Sequence, residues 1–171
     1  AILHLTTRDH NRLSLQGELW GASALGIDTV MVATGDFVAF KDRGNTTTVR
    51  DADVYGLVRM AREAGLRTGV VFDTHPEENG LARAVDHLKR KVDAGAQFAV
   101  TQPVYDETGA DEIARATRLI GIPVIMLSAY ISPTTAQTAA KLGAFEFLGK
   151  PLPSVQVLVE AVKNALGGKE A

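Results

Sequence analysis

The residues with the most usable chemistry sit in short polar clusters, each directly after a run of aliphatic and β-branched residues. His4 lies inside the first run, which ends in Thr6-Thr7-Arg8. The second run ends in Thr34-Gly35-Asp36, the third in Asp73-Thr74-His75, and the fourth in Thr101-Gln102 with Tyr105 and Asp106 close behind. Ser128 closes the fifth and Lys150-Pro151 the sixth. Parallel α/β folds collect ligands at the C-terminal ends of their strands, so these clusters are expected to share one rim. Each side chain also has an ordinary structural use. Asp36 after a glycine suits a turn or cap, His75 before Pro76 and Glu77 suits a helix start, and Lys91 beside an apolar stripe suits a solvated surface. Gln102 differs, because an amide at a strand end has little structural excuse. No His, Asp or Glu grouping has metal-ligand spacing, so no metal is expected. No Gly-rich nucleotide fingerprint occurs. Cysteine is absent, which removes disulfides, thiolate ligands and Cys nucleophiles.

The elements that must position these residues are legible from the apolar pattern. Six short runs recur: Ile2–Thr6, Thr29–Thr34, Thr68–Phe72, Phe98–Thr101, Val124–Ser128 and Glu146–Leu148. They are continuous rather than alternating, as strands covered on both faces are. Helical spacing links Leu15, Leu19 and Ala22; Val54, Leu57, Val58 and Ala61; Val85, Leu88 and Val92; and Val155, Leu158, Val159, Val162 and Leu166. Gly26, Gly65, Gly95 and Gly143 stand where those helices must stop before the next strand. Alternating strands and helices predict an α/β fold with a parallel sheet. The polar stretch from Asp36 to Arg50 reads as a long loop able to cover a site. At 171 residues, with 46% hydrophobic and 22% charged residues, the chain has the size and composition of one globular domain. A net charge of −2 without a basic block argues against nucleic acid or an anionic membrane as partner. No apolar run reaches the roughly 20 residues of a membrane span, and the start lacks a signal-peptide layout, so a cytoplasmic location is expected.

Two resemblances run along the chain. His4-Leu5-Thr6-Thr7-Arg8-Asp9, Ala33-Thr34-Gly35-Asp36, the stretch from Leu88 to Ala96 and Val100-Thr101-Gln102-Pro103 resemble methylenetetrahydrofolate reductase, a flavin-dependent (β/α)8-barrel family, over residues 2 to about 120. The resemblance implies that Asp36 lies by the flavin ring and tunes its electronics, and that Gln102 faces folate and flavin. It also implies that His4, His75 and Lys91 contact the FAD cofactor. Val71 and Ala84 depart from it, standing where some family members have a contacting Tyr and Asp. Pro123-Val124-Ile125-Met126-Leu127-Ser128-Ala129-Tyr130 and the stretch from Leu142 to Pro151 resemble instead the C-terminal part of a response-regulator receiver domain, a flavodoxin-like fold. That second resemblance implies a phosphate-site remnant, with Ser128 as a switch hydroxyl, Lys150 as the phosphoryl-contacting lysine and Phe147 at the switch aromatic position.

Neither site is expected to be complete. The strand before residues 122 to 171 ends in Thr101-Gln102, and an amide accepts no phosphoryl group. The reductase resemblance begins at what would be the family's second barrel strand, so the glutamate general acid of its first strand is not expected in this chain. The sequence therefore predicts an engineered chimera in a single hybrid domain. Residues 1–121 would be reductase-derived and residues 122–171 receiver-derived, with no catalytic residue intact and no cofactor. The alternative is a flavin- or phosphate-binding protein related to the reductase, an FAD-dependent oxidoreductase if active. Two sheet arrangements satisfy this pattern, an incomplete TIM-type barrel or a flavodoxin-like doubly wound sheet. Open sheet edges in the former predict a homodimer.

Overall fold

The structure is a computed structural model that describes residues 1–36, 44, 48–73, 80–105, 107–118, 120–128, 137, 140, 141 and 143–167. The strands are β1 (Ile2–Thr6), β2 (Thr29–Ala33), β3 (Arg67–Phe72), β4 (Phe98–Val104), β5 (Val124–Ser128) and β6 (Glu146–Gly149). The helices are α1 (Arg12–Ala24), α2 (Val54–Glu63), α3 (Leu81–Asp93), α4 (Glu107–Thr117) and α5 (Val155–Ala165). The six strands form one sheet in the order β1-β2-β3-β4-β5-β6, and the β1/β2, β4/β5 and β5/β6 pairs are parallel. Strands alternating with helices in one parallel sheet are the α/β pattern that the sequence predicts.

Contacts gather into two compact units, Ala1–Gly69 and Val70–Ala171. In the first, Leu15, Leu19 and Ala22 of α1 and Val54, Leu57, Val58 and Ala61 of α2 are buried, as their helical spacing requires, with Val30 and Val32 of β2 fully covered. Both helices begin on side-chain caps: Asn11 accepts from the Ser14 N–H at 2.8 Å and Asp53 from the Gly56 N–H at 2.6 Å. Each cap satisfies one N–H that the first turn leaves without an intrahelical partner. In the second unit the core holds Phe72, Leu88, Phe98, Ile125 and Met126, all at 1% exposure or less. Gly26, Gly65 and Gly95 follow α1, α2 and α3 with positive φ, as their reading as helix stops requires, and Gly143 also has positive φ.

The last helix departs from expectation. Its buried residues are Ala161 and Val162, while Leu158, Val159 and Leu166 are half-buried. Val155, expected in the apolar stripe, is 75% exposed. Residues 153–156 are all exposed, so α5 buries apolar surface only from Val157 onward.

Candidate functional site

In the first unit the ends of β1 and β2 are joined in a small hydrogen-bonded knot. The Thr7 N–H donates to the Ala33 carbonyl at 3.2 Å, and the Thr7 hydroxyl donates to the Thr34 carbonyl at 3.2 Å. Gly35 follows with φ +83, and a Cβ built there would stand 2.9 Å from Arg8 Cβ and 3.2 Å from Thr6 Cβ. Both the left-handed backbone and the close approach therefore demand glycine. The Gly-Asp pair serves geometry: Gly35 lets the backbone press against the end of β1, and Asp36 emerges from that turn exposed. His4 is also exposed, on β1, two residues before Thr6 and so on the same face of the strand. Arg8 and Asp9 pair at 2.9 Å on the surface just beyond. The same unit contains a groove of about 450 Å³ whose lining includes Arg12, Arg50, Arg59, Asp51, Asp53 and Glu63. Its three cations are matched by three anions, so it offers no strong field to a charged ligand. The Arg50-Asp51-Ala52-Asp53 cluster could have flagged it in the sequence.

In the second unit Gln102 sits at a β-bulge. The β4/β5 register runs Ala99↔Val124 and Val100↔Ile125, then resumes at Pro103↔Leu127 and Val104↔Ser128. Thr101 and Gln102 thus oppose Met126 alone, the extra-residue arrangement that turns a side chain away from its regular position. Pro103 has no N–H to give to the ladder, which is why strand prolines gather at bulges. Two hydroxyls repair the gap. The Leu127 N–H donates to Thr101 Oγ1 at 2.9 Å, and Ser128 Oγ donates to the Val104 carbonyl at 2.8 Å, both buried. Gln102 itself is half-buried.

Lys91, in the last turn of α3, is not the solvated surface lysine that its place beside an apolar stripe suggested. Its side chain is half-buried and Nζ donates to the Val71 carbonyl at 2.7 Å. Burial pushes the ammonium below the ordinary lysine value, and the nearby Asp73 carboxylate offsets part of that shift. Ser128 and Lys150 are brought together through backbone, the Lys150 N–H donating to the Ser128 carbonyl at 2.6 Å. The Ser128 hydroxyl is buried and engaged with Val104, whereas the Lys150 side chain is exposed. His75 and the loop from Phe37 to Thr47, Gly44 aside, lie outside the described residues. Among the described residues no group of three or more His, Asp or Glu side chains is gathered for a metal ion. No helix among them is long and apolar enough to cross a membrane.

The site features that sequence reasoning missed are the hydrogen bond that the Thr101 hydroxyl accepts, the Val71 carbonyl and the close approach at Gly35. Pro103 inside a strand was the available sign of the bulge. Nothing in the sequence marks Val71, because its role is played by backbone.

Comparison with known proteins places these features in context. Residues 1–147 match the family described as methylenetetrahydrofolate reductase. A probable methylenetetrahydrofolate reductase (NADPH) from Caenorhabditis elegans is 28% identical over 136 residues, which is 72% of this chain and 19% of that protein. Among solved structures, 2,3-dimethylmalate lyase aligns with a TM-score of 0.60 at 15% identity, over 97% of this chain and 57% of that one. The carboxyl transferase domain of Rhizobium etli pyruvate carboxylase aligns with 0.62 at 14% identity, over 96% and 31%. The tryptophan synthase α-subunit of Pyrococcus furiosus aligns with 0.55 at 18% identity, over 98% and 66%. At such identities these structures share the fold and nothing finer. The family match runs through residues 121–124, where the sequence alone suggested a seam between two families, and covers the chain as far as Phe147. The chain belongs to the methylenetetrahydrofolate reductase family.

Proposed function

We propose that this chain is the FAD-binding part of a methylenetetrahydrofolate reductase-type oxidoreductase. The observation that carries the reading is a family match over residues 1–147, which includes His4, Asp36, His75, Lys91 and Gln102. Each unit by itself offers groups that flavin recognition uses: in the first a carboxylate on a glycine-set turn, and in the second an amide turned by a bulge and a lysine ammonium partly stripped of water. Bound FAD would supply two-electron transfer between a nicotinamide and the folate. The residues of the chain would bind and orient it. Asp36 would set a negative charge near the flavin ring, which disfavours added electron density there. Gln102 offers both a donor and an acceptor. A phosphate beside Lys91 would oppose the effect of burial, since an anion within about 4–6 Å favours the charged form.

Titration of flavin fluorescence with the wild type, Asp36→Ala, Gln102→Ala and the double variant tests this reading. Saturable binding by the wild type, weakened at least roughly tenfold in the double variant, about 1.4 kcal/mol, is expected. Absence of binding, or binding indifferent to both substitutions, would refute it.

The hybrid reading, with residues 122–171 taken from a receiver, draws on the meeting of Ser128 and Lys150 at one end of the sheet. Against it stands the continuity of the family match through residue 147. Incubation with acetyl phosphate is expected to add no mass, because Gln102 stands where the acceptor aspartate would be. A stable phospho-adduct mapped to residues 101–106 would favour the receiver reading instead.

A further inference from the structure

The groove of the first unit carries an ordered charge pattern that the flavin reading leaves unused. Gly56, Arg59, Met60 and Glu63 line it from one face of α2, and Arg12 lines it from the first residue of α1. Arg59 and Glu63 stand four apart, a spacing at which opposite charges on a helix can meet. They do not meet here. The Arg59 guanidinium turns back along the helix, with one nitrogen 4.0 Å from where a Cβ of Gly56 would stand. Among the described residues no ion pair holds Arg12, Arg59, Asp51 or Glu63. Asp53, by contrast, is engaged as the α2 cap, accepting the Gly56 N–H at 2.6 Å. Gly56 keeps this end of the groove open, since a Cβ there would stand 3.2 Å from Asp53 Oδ1 and beside the Arg59 guanidinium. β1 and β2 are parallel, so α1 and α2 begin at the same end of the sheet. That end of the groove holds Arg12, Arg50 and Arg59 against Asp51 and Asp53, beside the positive end of the α2 dipole. Glu63, the last residue of α2, stands at the negative end.

We propose that this groove binds a small dipolar molecule of the short-peptide class, its carboxylate held by Arg59 and Arg12 and its ammonium by Glu63. A guanidinium offers a carboxylate two parallel N–H donors, and an ammonium donates to a carboxylate in a charge-assisted bond. A ligand of a single sign would be repelled at one end of the groove. A ligand with both charges is drawn to both ends, and it lies against the helix dipole in the favourable direction. The dimensions agree. The cavity of about 450 Å³ falls among small-molecule sites, which span about 300–1,000 Å³. Gly56 to Glu63 is about 10 Å of helix at 1.5 Å per residue, a length that three extended residues cover. Met60 lies between the two ends and is buried, so it gives the middle of the groove an apolar surface for aliphatic side chains. Neither His4 nor Asp36, the flavin-site residues of this unit, lines the groove. The two readings therefore stand or fall separately.

Titration of the full chain with trialanine, followed through the backbone amide shifts of Gly56 and Glu63 in heteronuclear NMR spectra, tests the proposal. Saturable shifts at both amides are expected, with a dissociation constant below about 1 mM. Acetylation of the peptide removes its ammonium and amidation its carboxylate. Each is expected to weaken binding at least about tenfold, the worth of a hydrogen bond to a charged group. Free alanine is too short to bridge the two ends and should bind at least about tenfold more weakly than trialanine, which separates a peptide site from an amino-acid site. Two variants assign the ends. Glu63→Gln should bind free and acetylated trialanine alike, and Arg59→Gln should bind free and amidated trialanine alike. The ligand comparisons use the unaltered protein, so they decide the matter even where a variant fails to fold. Absence of shifts at either amide at about 10 mM trialanine, ten times the expected constant, overturns the proposal. Binding indifferent to both caps overturns it too, because charge would then play no part. So does free alanine binding as tightly as trialanine, since one end would then suffice.

Discussion

Lys91 illustrates how one side chain can be read wrongly from its neighbours in sequence. The stripe of Val85, Leu88 and Val92 was visible, and Lys91 beside it took the reading of a solvated flank. What the spacing could not carry is that Nζ reaches back across 20 residues to the Val71 carbonyl. Burial lowers its proton affinity in the folded state, with Asp73 opposing. The unfolded chain then binds more protons than the folded one between the depressed value and the ordinary lysine value. Stability therefore rises with pH through that window. Lys91→Met should abolish this alkaline gain, and by orphaning the Val71 carbonyl it should cost about 1–3 kcal/mol near neutral pH. Urea denaturation of both proteins across the alkaline range measures the difference; parallel curves would mean that Lys91 titrates normally. Gly35 gives a second prediction at this scale. Gly35→Ala meets both a positive φ and a 2.9 Å approach to Arg8 Cβ, so a loss of about 1–3 kcal/mol is expected in the same assay. The Gly-Asp pair was legible as a site signal, but its reason, the pressing of one strand end on another, is a tertiary fact.

Among the elements, β4 shows where local pattern stops being informative. Its apolar run ends at Thr101 in the sequence, yet the strand continues to Val104 because the bulge and two hydroxyls carry the ladder past Pro103. Thr101 was noticed only as a neighbour of Gln102, whereas its hydroxyl accepts the buried Leu127 N–H. Thr101→Val keeps the shape and removes that acceptor, at an expected cost of about 1–3 kcal/mol. Thr101→Ser should recover most of it, and thermal or chemical unfolding of the pair decides the matter. The strands themselves were legible because both faces are covered: β5 is buried at every position, and β2 at all but its last. Helix α5 was legible in type and extent but not in which residues matter. Val162→Ala should destabilise by about 1–3 kcal/mol, whereas Val155→Ala, at an exposed position, should change stability by less than about 0.5 kcal/mol. Equal effects at the two positions would contradict the observed burial.

For the molecule as a whole, sequential strand order has a consequence that hydrogen exchange can read amide by amide. β2 and β5 have hydrogen-bonded neighbours on both sides, while β1 and β6 have one each. A strand at a sheet edge leaves every other N–H facing away from its partner. The Thr7 N–H donates to the Ala33 carbonyl, so in this parallel pair Leu3, Leu5 and Thr7 direct their amides toward β2, and Ile2, His4 and Thr6 direct theirs outward. Exchange in β1 should therefore alternate, with the amides of His4 and Thr6 fast and those of Leu5 and Thr7 slow. No such alternation should appear in Val30–Val32 or Ile125–Leu127, whose covered backbone opens only with the larger cooperative unit. The contrast within β1 should be at least roughly tenfold, since opening free energies range from near zero at exposed positions up to the global value. The same measurement tests the homodimer that the sequence suggested: a second copy on the open sheet edge would slow His4 and Thr6 as concentration rises, whereas rates that do not change with concentration would mean that this edge takes no partner.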